Sequence, residues 1–178
     1  MIYITDVEIL DTLKQFIIDN IASKIKLKKP SSDGNVEESE YELVNPAVYT
    51  MYIPPKNILD DYGYDIPAIL IMIDNMEDDN DSASLVCRLS FVVYDPGEVD
   101  EDGIFSPNVE GYKDLLNLKN KFLILLSENP VIKEKFSINK PIKWSMDEET
   151  IYPYYAGNLE FEIPIAPLNF IPNYQKYL

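Results

Sequence analysis

Ala68–Asn75 reads AILIMIDN and Leu85–Tyr94 reads LVCRLSFVVY, and these two runs decide the fold. In the first, residues of both parities are apolar, the pattern of a strand covered on two sides. In the second, Leu85, Cys87, Leu89, Phe91 and Val93 share one face. Val86, Arg88, Ser90, Val92 and Tyr94 share the other, so only one side is uniformly dry. The intervening EDDNDSAS is too polar for a core and reads as a generous hairpin loop. Together the runs predict two adjacent antiparallel strands.

Working outward, Thr5 followed three residues later by Glu8 is a capping-box pattern, and Ile9, Leu10, Leu13, Ile17 and Ile21 then recur at helical spacing. This predicts a first helix reaching about Lys24. The lysines of SKIKLKK (Ser23–Lys29) are expected to complement the negative end of that helix. The tract SSDGNVEESE (Ser31–Glu40) cannot bury anything, so a flexible acidic loop is expected at 30–42. PAVYTMYIPP then reads as a short strand stopped by Pro54 and Pro55.

Beyond the hairpin, DPGEVDEDGIFSPN reads as another acidic loop. A second helix is predicted from about Gly111 to Ser127, with Tyr112, Leu115, Leu116, Phe122, Leu123 and Leu126 on its apolar face, ended by Asn129 and Pro130. PIKWSMDEE reads as one strand. NLEFEIPI, with Leu159, Phe161, Ile163 and Ile165 opposite Asn158, Glu160 and Glu162, reads as a half-buried antiparallel partner. The expected fold is α+β in a single domain over residues 1–178: an antiparallel or mixed sheet of about four to five strands against two principal helices.

With 46% hydrophobic and 26% charged residues, the chain has the composition of a globular protein. No apolar run approaches the roughly 20 residues of a membrane-spanning helix, and MIYITDVEIL lacks a basic region and cleavage site. A soluble protein made in a cytoplasm is expected. A formal charge of −16 repels phosphate backbones, so sequence-specific nucleic-acid binding is not expected. The lone Cys87 sits at an inward strand parity, where a thiol serves as a small hydrophobe.

The chain contains no histidine, which removes Ser-His-Asp and Cys-His arrangements and every histidine metal ligand. It also lacks the GxGxxG and GxxxxGK[ST] turns that cradle phosphates. Two loops resemble the start of a calcium site. Asp78, Asn80 and Ser82 alternate correctly, but Ala83 and Leu89 stand at the sixth and twelfth positions. Glu98, Asp100, Asp102 and Gly103 come nearer, yet Val109 stands where the bidentate carboxylate belongs. Solvated acidic loops are the better reading, and no metal, cofactor or catalytic residue is assigned.

Trp144, Tyr152, Tyr154 and Tyr155 lie beside Asp147, Glu148 and Glu149 in WSMDEETIYPYYAGN, the mixture of aromatic anchors and polar rim that interfaces favour. These seven residues are the candidate protein-interface set. For each ring taken singly, a structural role is at least as good a reading, with Trp144 in the core and the tyrosines packing a β-hairpin rim.

The second half also carries a family likeness. VVYDPGE (Val92–Glu98), EGYKDLLNL (Glu110–Leu118), SENPVI (Ser127–Ile132), PIKWSMDEE (Pro141–Glu149) and YPYYAGNLEFEIP (Tyr152–Pro164), in this order, resemble the tail-terminator and minor tail proteins of tailed bacteriophages and of phage-tail-like bacteriocins. The likeness spans residues 54–167. It implies a small α+β domain that assembles with itself into a ring, typically a hexamer, on the head-proximal end of the tail tube. Such a ring stops tube or sheath growth and presents a surface to a head, neck or collar protein. It also implies a structural protein without turnover, found in the bacterial host cytoplasm during assembly and then in the virion or tail-like particle. A head-completion or tail-adaptor protein is the neighbouring alternative. A small carboxylate-based enzyme or ligand-binding domain is the alternative from another class.

Overall fold

The structure, a computed structural model, describes residues 4–31, 41–55, 58, 62–79, 81–102, 104–149 and 151–167. Helix α1 (Asp6–Asn20) and a 3-10 turn (Ala22–Lys24) lead into strands β1 (Leu27–Lys29), β2 (Glu42–Val44) and β3 (Ala47–Thr50). The long hairpin follows as β4 (Ala68–Asp78) and β5 (Ala83–Tyr94), then the small strands β6 (Glu98–Val99) and β7 (Phe105–Ser106). Helix α2 (Glu110–Glu128) precedes β8 (Val131–Ile132), β9 (Phe136–Ser137), β10 (Asn139–Met146) and β11 (Tyr154–Ile165). The main sheet has the order β10-β11-β5-β4-β3, with β3 parallel to β4 and the other pairs antiparallel. The fold is therefore α+β, a five-stranded mixed sheet with two helices.

Side-chain parity decides which face the helices cover. Along β5 the odd positions from Ala83 to Val93 are buried while Ser84, Val86, Arg88, Ser90 and Val92 are partly exposed. Leu159, Phe161 and Ile163 of β11 and Ile69 and Ile71 of β4 add to the dry face. Helix α1 brings Ile9, Leu13, Phe16 and Ile17 to this core, and α2 brings Leu115, Leu118, Phe122 and Leu126. Phe122 stacks on Phe161 with ring centroids 6.0 Å apart. A second, smaller core lies on the other face, where Tyr62 and Tyr64 cover Ala47, Tyr49, Ala68 and Leu70.

The capping box forms as the sequence predicts: the Glu8 N–H donates to Thr5 Oγ1 at 3.2 Å and the Thr5 N–H donates to Glu8 Oε2 at 3.0 Å. Several expectations are corrected. Half of EDDNDSAS is strand, since Glu77 and Asp78 pair with Ser84 and Ala83. On α2, Tyr112 is exposed and Leu118 takes the core position, because the buried stripe runs 111, 115, 118, 122, 126. DPGEVDEDGIFSPN contains the β6–β7 ribbon. The expected loop at 30–42 is flanked by the β1–β2 ribbon, with Lys29 paired to Glu42; residues 32–40 lie outside the described ones. No basic residue lies in the last turn of α1, Lys24 lies in the last turn of the 3-10 helix that follows it, and Lys28 and Lys29 are strand residues that make ion pairs.

Phe122→Ala is expected to cost about 3–5 kcal/mol in urea unfolding, because it removes the ring that joins α2 to β11. A loss below about 1 kcal/mol would contradict this packing.

Candidate assembly surface

The seven candidate residues span the β10–β11 hairpin, and strand parity divides them. Trp144 pairs in register with Leu159 and faces the helices. Its ring lies 6.1 Å from Phe91 and beneath the Lys119 ammonium, 5.7 Å from the centroid. A Cβ on Gly157 would stand 2.5 Å from the Trp144 ring, so the glycine leaves room for the indole. Tyr155 also turns inward: its hydroxyl donates to the Asn108 carbonyl at 3.2 Å, and its ring occupies the space over Gly111. Both aromatics pack against the core, Trp144 in line with the core reading and Tyr155 deeper than the expected hairpin rim.

Tyr152 and Tyr154 face outward, 40% and 38% exposed. Tyr154 begins β11 opposite Tyr94, with ring centroids 5.6 Å apart, and the Tyr152 hydroxyl donates to the Pro96 carbonyl at 2.5 Å. Burial, then the nearby Asp65 carboxylate, raises the Tyr154 phenol pKa, so this ring is neutral at physiological pH. Ile151, missed in the sequence reading, is 76% exposed beside them. Its signal was an isoleucine one residue before the aromatic run. Asp147, Glu148 and Glu149 are exposed at the hairpin tip, where the Glu149 N–H donates to Asp147 Oδ1 at 3.1 Å. The arrangement is an apolar patch with a carboxylate rim, able to bury rings against another protein surface.

What fixes this end of the sheet is Asp95, completely buried at the exit of β5. Lys28 Nζ lies 2.8 Å from its Oδ1, to which the Gly97 N–H also donates at 2.9 Å. The Asp95 N–H donates to the Pro153 carbonyl at 3.0 Å, tying β5 to the start of β11. Gly111, at the start of α2, approaches so closely that a Cβ there would stand 2.8 Å from Asp95 Cβ. Half-buried Asp114 faces the same corner. Burial raises its pKa first, the Asp95 and Glu110 carboxylates add to the rise, and Lys28 opposes it.

In each calcium-like loop an aspartate accepts backbone N–H groups. Asp79 accepts the backbone N–H groups of Asp81 and Ser82, which hold its pKa below the usual range. Asp100 accepts those of Asp102 and Ile104. Asn80 and Gly103 lie outside the described residues. Among the described residues, no group of three or more His, Cys, Asp or Glu side chains could hold a metal ion. Burial pushes the Cys87 thiol up to about 12, so it stays protonated within the core. No helix among the described residues is long and apolar enough to cross a membrane. No protein-family model matches this chain, and no curated protein matches it.

Gly157→Ala is expected to destabilise the fold by about 1–3 kcal/mol in denaturant titration. Adding Trp144→Leu should return much of that loss, and a neutral Gly157→Ala would show that the indole lies elsewhere.

Asp114 binds its proton more tightly in the fold than in the unfolded chain. Its contribution to stability is full below the ordinary carboxylate range and is lost as pH rises through the raised native value. Asp114→Asn should therefore raise the thermal midpoint at neutral pH, with the gain vanishing at acid pH. A gain independent of pH would exclude this origin.

Proposed function

We propose that this protein is a structural subunit of a phage tail or phage-tail-like particle, assembling with copies of itself into a ring that caps the head-proximal end of the tail tube. The observation that carries the reading is the outward patch of Ile151, Tyr152 and Tyr154, held at one end of a rigid sheet beside an acidic hairpin tip. Exposed apolar side chains gathered at one place, with polar groups around them, mark protein contacts. The α+β architecture agrees with the fold that the family likeness implies.

Charge shapes how such a ring closes. At −16 per chain the subunits repel one another in free solution, so the tube end supplies the template on which they gather. Once closed, the ring stops tube and sheath growth and offers its outer surface to a head, neck or collar protein. Symmetry then repeats each ring contact at every interface. The subunit acts in the host cytoplasm during assembly and remains in the finished particle.

Electron microscopy of native particles tests the location: the protein is expected at one end of the tail, and finding it along the tube would overturn the proposal. In the same particles, Tyr152→Ala and Tyr154→Ala are each expected to remove on the order of 2 kcal/mol per interface. Overlong or unfinished tails are the expected result, with little change in the melting of the isolated subunit. Tails of normal length from the double variant would remove the patch from the assembly surface.

A further inference from the structure

At the other end of β10 from the aromatic patch, an apolar groove of about 920 Å³ runs between the last turns of α2 and the sheet edge. Leu123 and Leu126 line one wall and Ile138, Pro141 and Ile142 the other. Strand β10 pairs with β11 on one side only, so no strand among the described residues flanks the groove on its outer side. Lys140 is the one charged side chain among the lining residues. It is exposed and has no ion-pair partner among the described residues.

We infer that this groove receives the Ile151, Tyr152 and Tyr154 patch of a second copy of the chain, so that subunits join patch to groove. The inference deepens the ring reading above and rests on it, because a ring of more than two copies needs two different surfaces that meet. Charge selects the occupant. The patch is rimmed by the exposed Asp147, Glu148 and Glu149, and among the described residues Glu148 and Glu149 have no ion-pair partner. A neighbour's patch seated in the groove brings these carboxylates toward Lys140, so apolar centres and opposite charges match together. In a chain of charge −16, a groove whose sole charge is positive is where a second copy's acidic edge meets attraction.

Distance excludes self-docking. The eight residues of β10 separate the groove from the hairpin tip by roughly 25 Å, at about 3.3 Å per residue. Pairing with β11 keeps the hairpin from folding back, so a patch reaches a groove only on another molecule. Each docking event leaves one patch and one groove free at the two ends of the growing assembly, and addition continues until the rotation closes a ring.

Crosslinking of the full-length chain tests the contact. Ser127→Cys places a thiol at the groove and Ile151→Cys one in the patch, both at exposed positions. The native Cys87 stays out of the reaction, because burial pushes its thiol up to about 12. At about 1 M salt the Debye length falls to about 3 Å, which screens the repulsion between chains. Under a short bismaleimide, the double variant is expected to give a ladder of dimers, trimers and higher species. An equimolar mixture of the single variants should give only dimers that hold one of each. A double variant that stays monomeric or stops at dimers would overturn the proposal, as would single variants that crosslink to themselves as readily as to each other. Low salt tests the charge match. Glu148→Lys in the Ile151→Cys chain should lower the mixed dimer at least threefold against native Lys140, although it reduces the net repulsion, and should raise it against Lys140→Glu. An increase in both pairings would reflect net charge alone and overturn the proposal. Ladders from a protein that microscopy does not find at a tail end would uphold this contact and sink the tail reading, whereas capped tails without ladders would do the reverse.

Discussion

The rest of the structure depends on the one-sided dryness of β5. This strand is hydrogen-bonded along its length to β4 on one side and β11 on the other, so its register sets theirs. A slip of one residue would turn Leu85, Cys87, Leu89, Phe91 and Val93 to the wet face and bring Arg88 into the core. Burying five such side chains contributes on the order of 10 kcal/mol before conformational entropy is counted, whereas an unpaired arginine in the core would cost several. Both helices then have one place to go, because their apolar stripes can be covered only on the face where β5, β11 and β4 are dry. The bulge between Ile73 and Asn75 keeps β4 in register near its polar end and sets Asp74 beside Arg88, whose Nη2 lies 2.9 Å from Asp74 Oδ1.

Where β5 ends, apolar burial gives way to a charge. Asp95 stands at the corner where the sheet, the start of α2 and the start of β11 converge, and Lys28 reaches it from a strand 67 positions earlier in the chain. Removing one member of a buried pair costs about 3–5 kcal/mol, because the other charge stays buried without compensation. The pair therefore resists local rearrangement more than it adds net stability. Its Oδ2 has no hydrogen-bond partner among the described residues, so the Lys28 and Gly97 contacts at Oδ1 carry the compensation. The corner also orients the outward patch, since Pro153 and the Tyr152 hydroxyl are bonded to Asp95 and Pro96.

Elements whose side chains alone set their environment were legible in the sequence. The parity of β5, the capping box of α1 and the alternation in Leu159–Ile165 are local patterns, and each appears where the pattern put it. Elements set by backbone pairing were not. Met76, Glu77 and Asp78 continue β4 with their side chains in water because Leu85, Ser84 and Ala83 offer partners across the strand. Tyr154 and Tyr155 extend β11 for the same reason, opposite Tyr94 and Val93. The Lys28–Asp95 pair had no local signal at all, because its members meet only when β1 is brought to the end of β5. Of the seven candidate interface residues, the structure sends Trp144 and Tyr155 inward, leaves Tyr152 and Tyr154 outward and puts the three carboxylates at the hairpin tip. Two rings with opposite fates in adjacent positions are what strand alternation requires, and the missing fact was the strand's starting point.

The open face of the sheet carries paired charges across several strands. Across that face, Lys143 pairs with Glu160 at 3.1 Å, Glu160 stands in register with Arg88, and Arg88 pairs with Asp74, so charges alternate from strand to strand. One row away, Ser90 Oγ donates to Asn158 Oδ1. Exposed pairs of this kind contribute at most about 1 kcal/mol each to stability. Their larger effect is on association: another surface laid on this face would have to desolvate paired charges and match their alternation. Near β3 the same face is already covered by Tyr62 and Tyr64. With the helices over the opposite face, the sheet end at Ile151–Tyr154 is one place where exposed rings stand clear of the paired charges, beside an acidic hairpin tip.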